Sequence, residues 1–224
     1  RFAAAQERFE IRSPIKTMTL SSREISAKYD QFAPWYDWLE NIPNLLGLSR
    51  LRRRLLQQAS GKILEVAVGT GKNLTYYPRD CRITAMDLSK AMLDVARNRA
   101  AKLSEHVSFS MADAEALPFP DKSFDTVVSS LSTCTFPNPI AALEEMGRVC
   151  RPEGKVLLLE HGRSDRERLG RWQDRHADQF AKPLGCHWNR EPLDMARKAG
   201  LKVNTARRCF FGILHQIEAV PTSI

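Results

Sequence analysis

Long apolar runs are missing from this chain. No stretch approaches the roughly 20 residues needed to span a bilayer, so the sequence as given reads as soluble or peripheral. Cysteine is scarce and scattered: Cys81, Cys134, Cys150, Cys186 and Cys209 form no C-x-x-C pair. An odd set of this kind points to a reducing compartment and gives no sign of a structural zinc. Internal repeats and low-complexity segments are absent, and nothing marks a second domain. The chain also begins at Arg1 rather than methionine, which leaves open an upstream targeting segment or membrane anchor. What is present is 224 residues, 43% of them hydrophobic, enough for one well-cored domain.

Negative charge is short at both ends. Residues 61–160 hold 12 Lys and Arg against 13 Asp and Glu, but residues 1–60 hold 10 against 6 and residues 161–224 hold 12 against 7. The net charge of +8 therefore sits on the flanks. Either it serves solubility, or it faces an anionic partner such as a membrane surface or RNA.

The most informative stretch is Ile63-Leu64-Glu65-Val66-Ala67-Val68-Gly69-Thr70-Gly71. Its β-branched apolar run reads as a buried strand of a parallel sheet. It breaks at a glycine turn, after which Asn73 to Tyr77 is expected to open a helix. Glycine lets a ligand approach the main chain because no Cβ intervenes. A P-loop is excluded, since Gly71-Lys72-Asn73 lacks the Ser or Thr and the spacing. A dinucleotide fingerprint is disfavoured, since Leu74 stands where a third glycine belongs. An acid four residues before the first glycine points instead to a nucleoside cofactor without a pyrophosphate. A second strand, Arg82 to Asp87, ends in an acid 18 residues beyond Gly69, placed to accept hydrogen bonds from ribose hydroxyls. A third strand, Val107 to Ser110, is followed by Asp113.

Together these residues resemble the class I S-adenosylmethionine (SAM)-dependent methyltransferases, and among them the group with the ubiquinone and menaquinone C-methyltransferases. The resemblance runs from about Tyr29 to the C-terminus. It implies an α/β fold: a Rossmann-like, seven-stranded, mostly parallel sheet with an antiparallel last strand and helices on both faces. Residues 1–60 would form an N-terminal arm and helical lid, and residues 61–224 the catalytic domain. SAM is the implied cofactor. The residues that would hold it are Tyr29, Tyr36, Glu65, Ala67, Gly69, Thr70, Gly71, Asn73, Asp87, Leu88, Met92, Asp113, Ala114 and Ser130. Ala67 stands where the family usually has glycine, and the added methyl reads as a tolerated variant.

The rest of the chain fills in this plan. Residues 1–20 read as an arm. Ser21-Ser22-Arg23-Glu24 reads as a capping box opening a helix, and Tyr29-Asp30 with Tyr36-Asp37 matches the lid signature of the quinone-type enzymes. Leu45, Leu48, Leu51 and Leu55 recur at helical spacing beside Arg50, Arg53 and Arg54. Their leucines are expected to pack on the sheet rather than lie on a membrane. Ser89 caps a helix running to about Ala101, with Met92 placed to touch adenine. Thr126 to Ser130 is the fourth strand, with Asp125 ahead of it read as structural. A helix from Pro139 to Val149 stops at Arg151-Pro152-Glu153-Gly154, and Lys155 to His161 is the fifth strand. Helices near 166–180 and 191–199 and strands near 203–210 and 214–220, turning at Gly212, complete the pattern.

His161 is the candidate general base, because an imidazole titrates near neutrality; lining the pocket is its plainer role. Cys134 either contacts an acceptor or fills space. Leu159-Glu160-His161-Gly162, Trp172-Gln173 and Leu184 to Arg190 resemble the methyltransferase-like 7 thiol methyltransferases. They look still more like mitochondrial inner-membrane methyltransferase-like proteins of fungi and plants. That resemblance implies a mitochondrial, membrane-associated protein; without it the expectation is cytoplasmic. Cys186, His187 and Asn189 lack zinc spacing, and no metal is expected. These resemblances imply a small or lipid-like acceptor. Two rivals remain: an RNA methyltransferase, with the basic flanks on phosphates, and a methyltransferase-fold subunit with a structural role in an assembly.

Overall fold

The computed structural model describes residues 20–39, 47–103 and 106–222; the N-terminal arm, Leu45 and the side chain of Tyr36 lie outside the described residues. Seven strands form one sheet: β1 (Lys62–Val66), β2 (Arg82–Asp87), β3 (His106–Met111), β4 (Phe124–Ser130), β5 (Cys150–His161), β6 (Leu201–Cys209) and β7 (Leu214–Pro221). Their order is β3-β2-β1-β4-β5-β7-β6. The first five run parallel, with Leu64 beside Thr84 on one side and Val127 on the other. Only β7 is antiparallel to its neighbours, β5 and β6. This is the α/β sheet the sequence implied.

Helices cover both faces. They are α1 (Ser22–Leu39), α2 (Ser49–Leu56), α3 (Lys90–Ala100), α4 (Pro139–Val149), α5 (Glu167–Leu184) and α6 (Pro192–Lys198). The period-2 alternation of strands divides the core between the faces. Leu64, Val66, Val127 and Leu158 pack with Leu143 and Met146 of α4 and Ala196 of α6. Ile63, Ile83, Val128 and Leu157 pack with Leu55 and Leu56 of α2 and Leu93 of α3. Fully burying each such aliphatic side chain contributes about 1.5–3 kcal/mol. The leucines of α2 thus serve the sheet, as expected, while Arg50, Arg53 and Arg54 stay exposed.

Local signals act as read. Ser21 and Glu24 form a reciprocal capping box, with Ser21 N donating to Glu24 Oε2 at 2.8 Å and Glu24 N donating to Ser21 Oγ at 3.4 Å. Ser89 Oγ accepts from Met92 N at 3.1 Å, capping α3. Asp125 is structural: it accepts from Lys62 N and pairs with Arg151.

Two expectations are sharpened. The segment after the glycine turn is helical as expected, in the form of a single 3-10 helix, Lys72–Tyr76; Pro78, close behind, cannot continue a helix ladder. The helix α4 stops at Val149 as expected, but β5 begins at Cys150 rather than Lys155, pairs with Phe124 and shifts register before Thr126.

Candidate functional site

The strand order reverses direction between β1 and β4, and in an open α/β sheet the crevice outside those carboxyl ends is where a ligand sits. A cleft opens there. Its wall includes Tyr29, Ala67, Gly69, Thr70, Asn73, Asp87, Leu88, Met92, Asp113, Ala114 and Ser130. Of the sequence-derived cofactor residues whose side chains are described, only Glu65 and Gly71 stand back from it.

The glycine turn divides its work. Gly69 takes φ 55°, and a Cβ built on it would meet only open space, so the cleft approaches the bare main chain here. Gly71, at φ 77°, packs against Leu74 and Ala96 and seats the turn on α3. Ala67 takes φ 53°, the left-handed region that an L side chain enters at a cost of roughly 1–2 kcal/mol. Its substitution for glycine therefore strains the backbone, beyond adding a methyl.

Two acids order the turn and a third orders the loop after β3. Asp87 accepts from Gly69 N at 2.8 Å through one oxygen and from Ser89 N at 2.9 Å through the other. Each carboxylate oxygen keeps acceptor capacity for a ligand. Burial pushes the Asp87 carboxyl up, and the backbone amides hold it down. Glu65 lies behind the wall and accepts from Asn73 Nδ2 at 2.8 Å. Burial lifts its pKa to about 7, against the pull of Asn73, Tyr77 and Arg52. Asp113 Oδ1 accepts from Glu115 N at 3.0 Å.

Helix α1 closes over this half. Asp30 Oδ1 accepts from Ser89 Oγ at 2.6 Å and from Ala91 N at 3.1 Å, and Ser26 Oγ donates to the Leu88 carbonyl at 3.0 Å. Asp30 thus ties α1 to the start of α3. Arg52 is a residue that sequence reasoning missed. It is buried, lines the cleft and attracts Glu65, although its place among Arg50, Arg53 and Arg54 suggested a solvated basic side. Its signal was helical spacing from the leucines, four residues after Leu48 and three before Leu55.

The fourth and fifth strands build the adjoining half. Glu160, fully buried, accepts from Ser129 Oγ at 2.7 Å, Ser132 N at 2.9 Å and Thr133 N at 3.2 Å. It thereby fixes the loop after β4, which supplies Ser132, Thr135 and Phe136 to the cleft. Arg190 donates to the carbonyls of Thr133 and Phe136 at 2.6 and 2.8 Å. His161 is not in the cleft wall; its Nε2 lies 3.3 Å from Cys186 Sγ. A hydrogen bond with Cys134 favours the Cys186 thiolate against burial, and His161 adds to it. Burial opposes the charged form of His161, and Cys186 with Glu160 outweighs it and raises the imidazole.

The wall suits a polar nucleoside. Ser130 Oγ and Asn73 Oδ1 are buried atoms of cleft residues with no hydrogen-bond partner in the protein, and such atoms are costly unless a ligand or water satisfies them. The comparisons agree. Residues 64–158 match the family model described as a methyltransferase domain. Residues 64–158 thus carry a methyltransferase domain. The chain is related to the ubiquinone and menaquinone methyltransferases, being 36% identical over 143 residues to the demethylmenaquinone methyltransferase of Renibacterium salmoninarum, covering 61% of this chain and 58% of that protein. The phosphatidylethanolamine N-methyltransferase of Cereibacter sphaeroides is 37% identical over 129 residues, with coverage of 57% and 63%. The mitochondrial methyltransferase OMS1 of Saccharomyces cerevisiae is 27% identical over 214 residues, with coverage of 86% and 45%. The chain thus spans about half to two thirds of the length of these relatives. Among solved structures, a SAM-dependent methyltransferase of Thermotoga maritima shares the fold, with a TM-score of 0.66, 22% identity, and coverage of 88% of this chain and 100% of that one.

Proposed function

We propose that the protein transfers a methyl group from SAM to a small or lipid-like acceptor at the carboxyl edge of β4 and β5. The carrying observation is that one cleft joins the glycine turn, Asp87 and Asp113 to the loop after β4, so that donor and acceptor can share an enclosure under α1. When bound, SAM supplies a methyl already activated on a sulfonium. The chain's task is then to hold, orient and keep water out. In this reading Asp87 accepts from the ribose hydroxyls. Leu88, Met92 and Ala114 pack on the adenine, and Asp113 accepts from its amino group. Tyr29, Ala67, Gly69, Thr70, Asn73 and Ser130 surround the methionyl end, with Glu65 holding Asn73, Gly71 seating the turn and Tyr36 completing the lid. His161 stands apart from this set and would act only on an acceptor proton that reaches it.

The acceptor is assigned to the lipid-like class with support from the relatives named for demethylmenaquinone and phosphatidylethanolamine. No helix among the described residues is long and apolar enough to cross a membrane. Surface contact has its own support. Phe211 is 71% exposed at the turn after β6, and the Phe210 ring lies against Gly47, just ahead of the basic helix α2. Aromatic rings beside arginines suit an anionic headgroup region, where each basic residue contributes about 1 kcal/mol. The relative named as mitochondrial supports reading that surface as a mitochondrial one.

Incubation with labelled SAM and separate lipid, thiol and RNA extracts, read by mass spectrometry, tests the acceptor; label in the lipid fraction is expected. Co-sedimentation with anionic vesicles at low salt should fall when Arg50, Arg53 and Arg54 become Glu. Label confined to RNA, with no vesicle binding, would overturn this reading and favour the RNA methyltransferase.

A further inference from the structure

Cys134, His161 and Cys186 come from three distant segments: the loop after β4, the end of β5 and the loop after α5. Each contributes one donor atom, and the three donors lie within 4.8 Å of one another. Cys186 Sγ and His161 Nε2 are already 3.3 Å apart. A tetrahedral zinc ion, with Zn–S near 2.3 Å and Zn–N near 2.0 Å, sets its donors roughly 3.5–3.8 Å apart. Closing this set around one ion therefore needs side-chain shifts of about an ångström.

We propose that Cys134, His161 and Cys186 form a binding site for one thiophilic metal ion of the zinc class. The donor set selects the metal. Two thiolates and an imidazole suit zinc, whereas magnesium and calcium require oxygen. Two thiolates also neutralise a divalent ion, which lowers the cost of placing it beside the buried loop after β4. The third donor separates this site from a simple cysteine pair, since a disulfide would use both sulfurs and leave the imidazole unused.

The surroundings hold the donors in place. His187 N donates to the Cys134 carbonyl at 2.9 Å, coupling the segment that bears Cys186 to the loop that bears Cys134. Glu160, next to His161, accepts from Ser132 N and Thr133 N, next to Cys134. Gln173 of α5 ties the Gly162 and Trp188 carbonyls together at 3.1 and 3.2 Å. Three protein ligands leave one tetrahedral position open, the pattern of zinc sites that exchange a ligand rather than of closed structural ones. A metal on Nε2 would also remove His161 as a free base. The proposal goes beyond methyl transfer and does not depend on it.

The test uses the purified full chain, stripped with chelator and titrated with Zn2+ alone against a chromophoric competitor, and separately with Co2+. Expected are one zinc per chain and a cobalt spectrum with tetrahedral d–d bands and a thiolate charge-transfer band. Cys134→Ser, Cys186→Ser and His161→Gln should each weaken zinc by at least about tenfold, and each cysteine variant should diminish the charge-transfer band. Cys209→Ser should change neither. A rise in melting temperature with S-adenosylhomocysteine checks that each variant is folded. The proposal is overturned by absence of stoichiometric zinc, by zinc retained in the double serine variant, or by oxidation of Cys134 and Cys186 to a disulfide that zinc does not protect against.

Discussion

The two halves of the sheet's carboxyl edge are built in different ways. Around β1 and β2 the groups that line the cleft come from short contiguous runs, and many are backbone: the open face of Gly69, and Gly69 N and Ser89 N on Asp87. Around β4 and β5 the polar and thiol groups are side chains drawn together from afar: Cys134, His161, Cys186 and Arg190. The first half needs a turn geometry that local residues can specify. The second needs three loops to dock. The difference predicts that cofactor binding and acceptor-side chemistry can be damaged separately, and four substitutions test that separation, from the largest effect to the smallest.

Glu65 should show the largest. Its carboxyl titrates near 7 in the folded chain and at the ordinary 4.5 when unfolded. As pH rises between these values the unfolded state loses its proton first. Folded stability therefore falls across that window and stays reduced above it, by about 3 kcal/mol for a shift of this size. Glu65→Gln keeps an acceptor for Asn73 and should flatten the curve. Urea melts at a series of pH values check this; an unchanged slope in the variant would remove Glu65 as the cause.

Asp87→Ala comes next. It removes hydrogen bonds to a charged acceptor, worth about 1.5–3 kcal/mol or roughly ten- to a hundredfold in SAM affinity. Calorimetry should show that loss with zinc binding unaltered. Equal SAM affinity would sink the ribose role.

Ala67→Gly runs in the opposite direction. With φ at 53°, glycine relieves left-handed strain of about 1 kcal/mol, offset in part by its greater freedom when unfolded. A small rise in melting temperature is expected, and a fall would mean that the Ala67 methyl contributes packing that outweighs the strain.

His161→Gln should barely move the first half. Because His161 does not line the cleft, SAM affinity should stay within about twofold, as for distant independent sites. A drop in turnover with intact SAM binding would place His161 on the acceptor side. A large loss of SAM affinity would erase the distinction between the halves.

Legibility followed the same division. The strand beginning near Ile63, the acid at Asp87 and the caps at Ser21 and Ser89 could be read because each depends on neighbours within a few residues; the end of that strand could not, since it stops at Val66 and not Val68. The fate of Asn73 to Tyr77 could not: a short polar segment ahead of Pro78 is helical in either reading, and packing of Gly71 on Ala96 accompanies the tighter form. Arg52 was hidden for a related reason. A basic run on an amphipathic helix looks solvated until the neighbouring Glu65 shows which arginine is drawn inside.

By itself, then, the sequence determined the parallel sheet, its order of elements and the glycine turn. Strand periodicity, glycine backbone freedom and capping all act over distances the chain spans locally. Only the tertiary structure decided that Glu65 stands behind the cleft, that Asp30 ties α1 to α3, and that His161 meets Cys134 and Cys186 instead of lining the cleft. Those outcomes depend on how separate loops pack at the end of a twisted sheet, and residues 27 and 25 positions from His161 acquire a common site only once that packing exists.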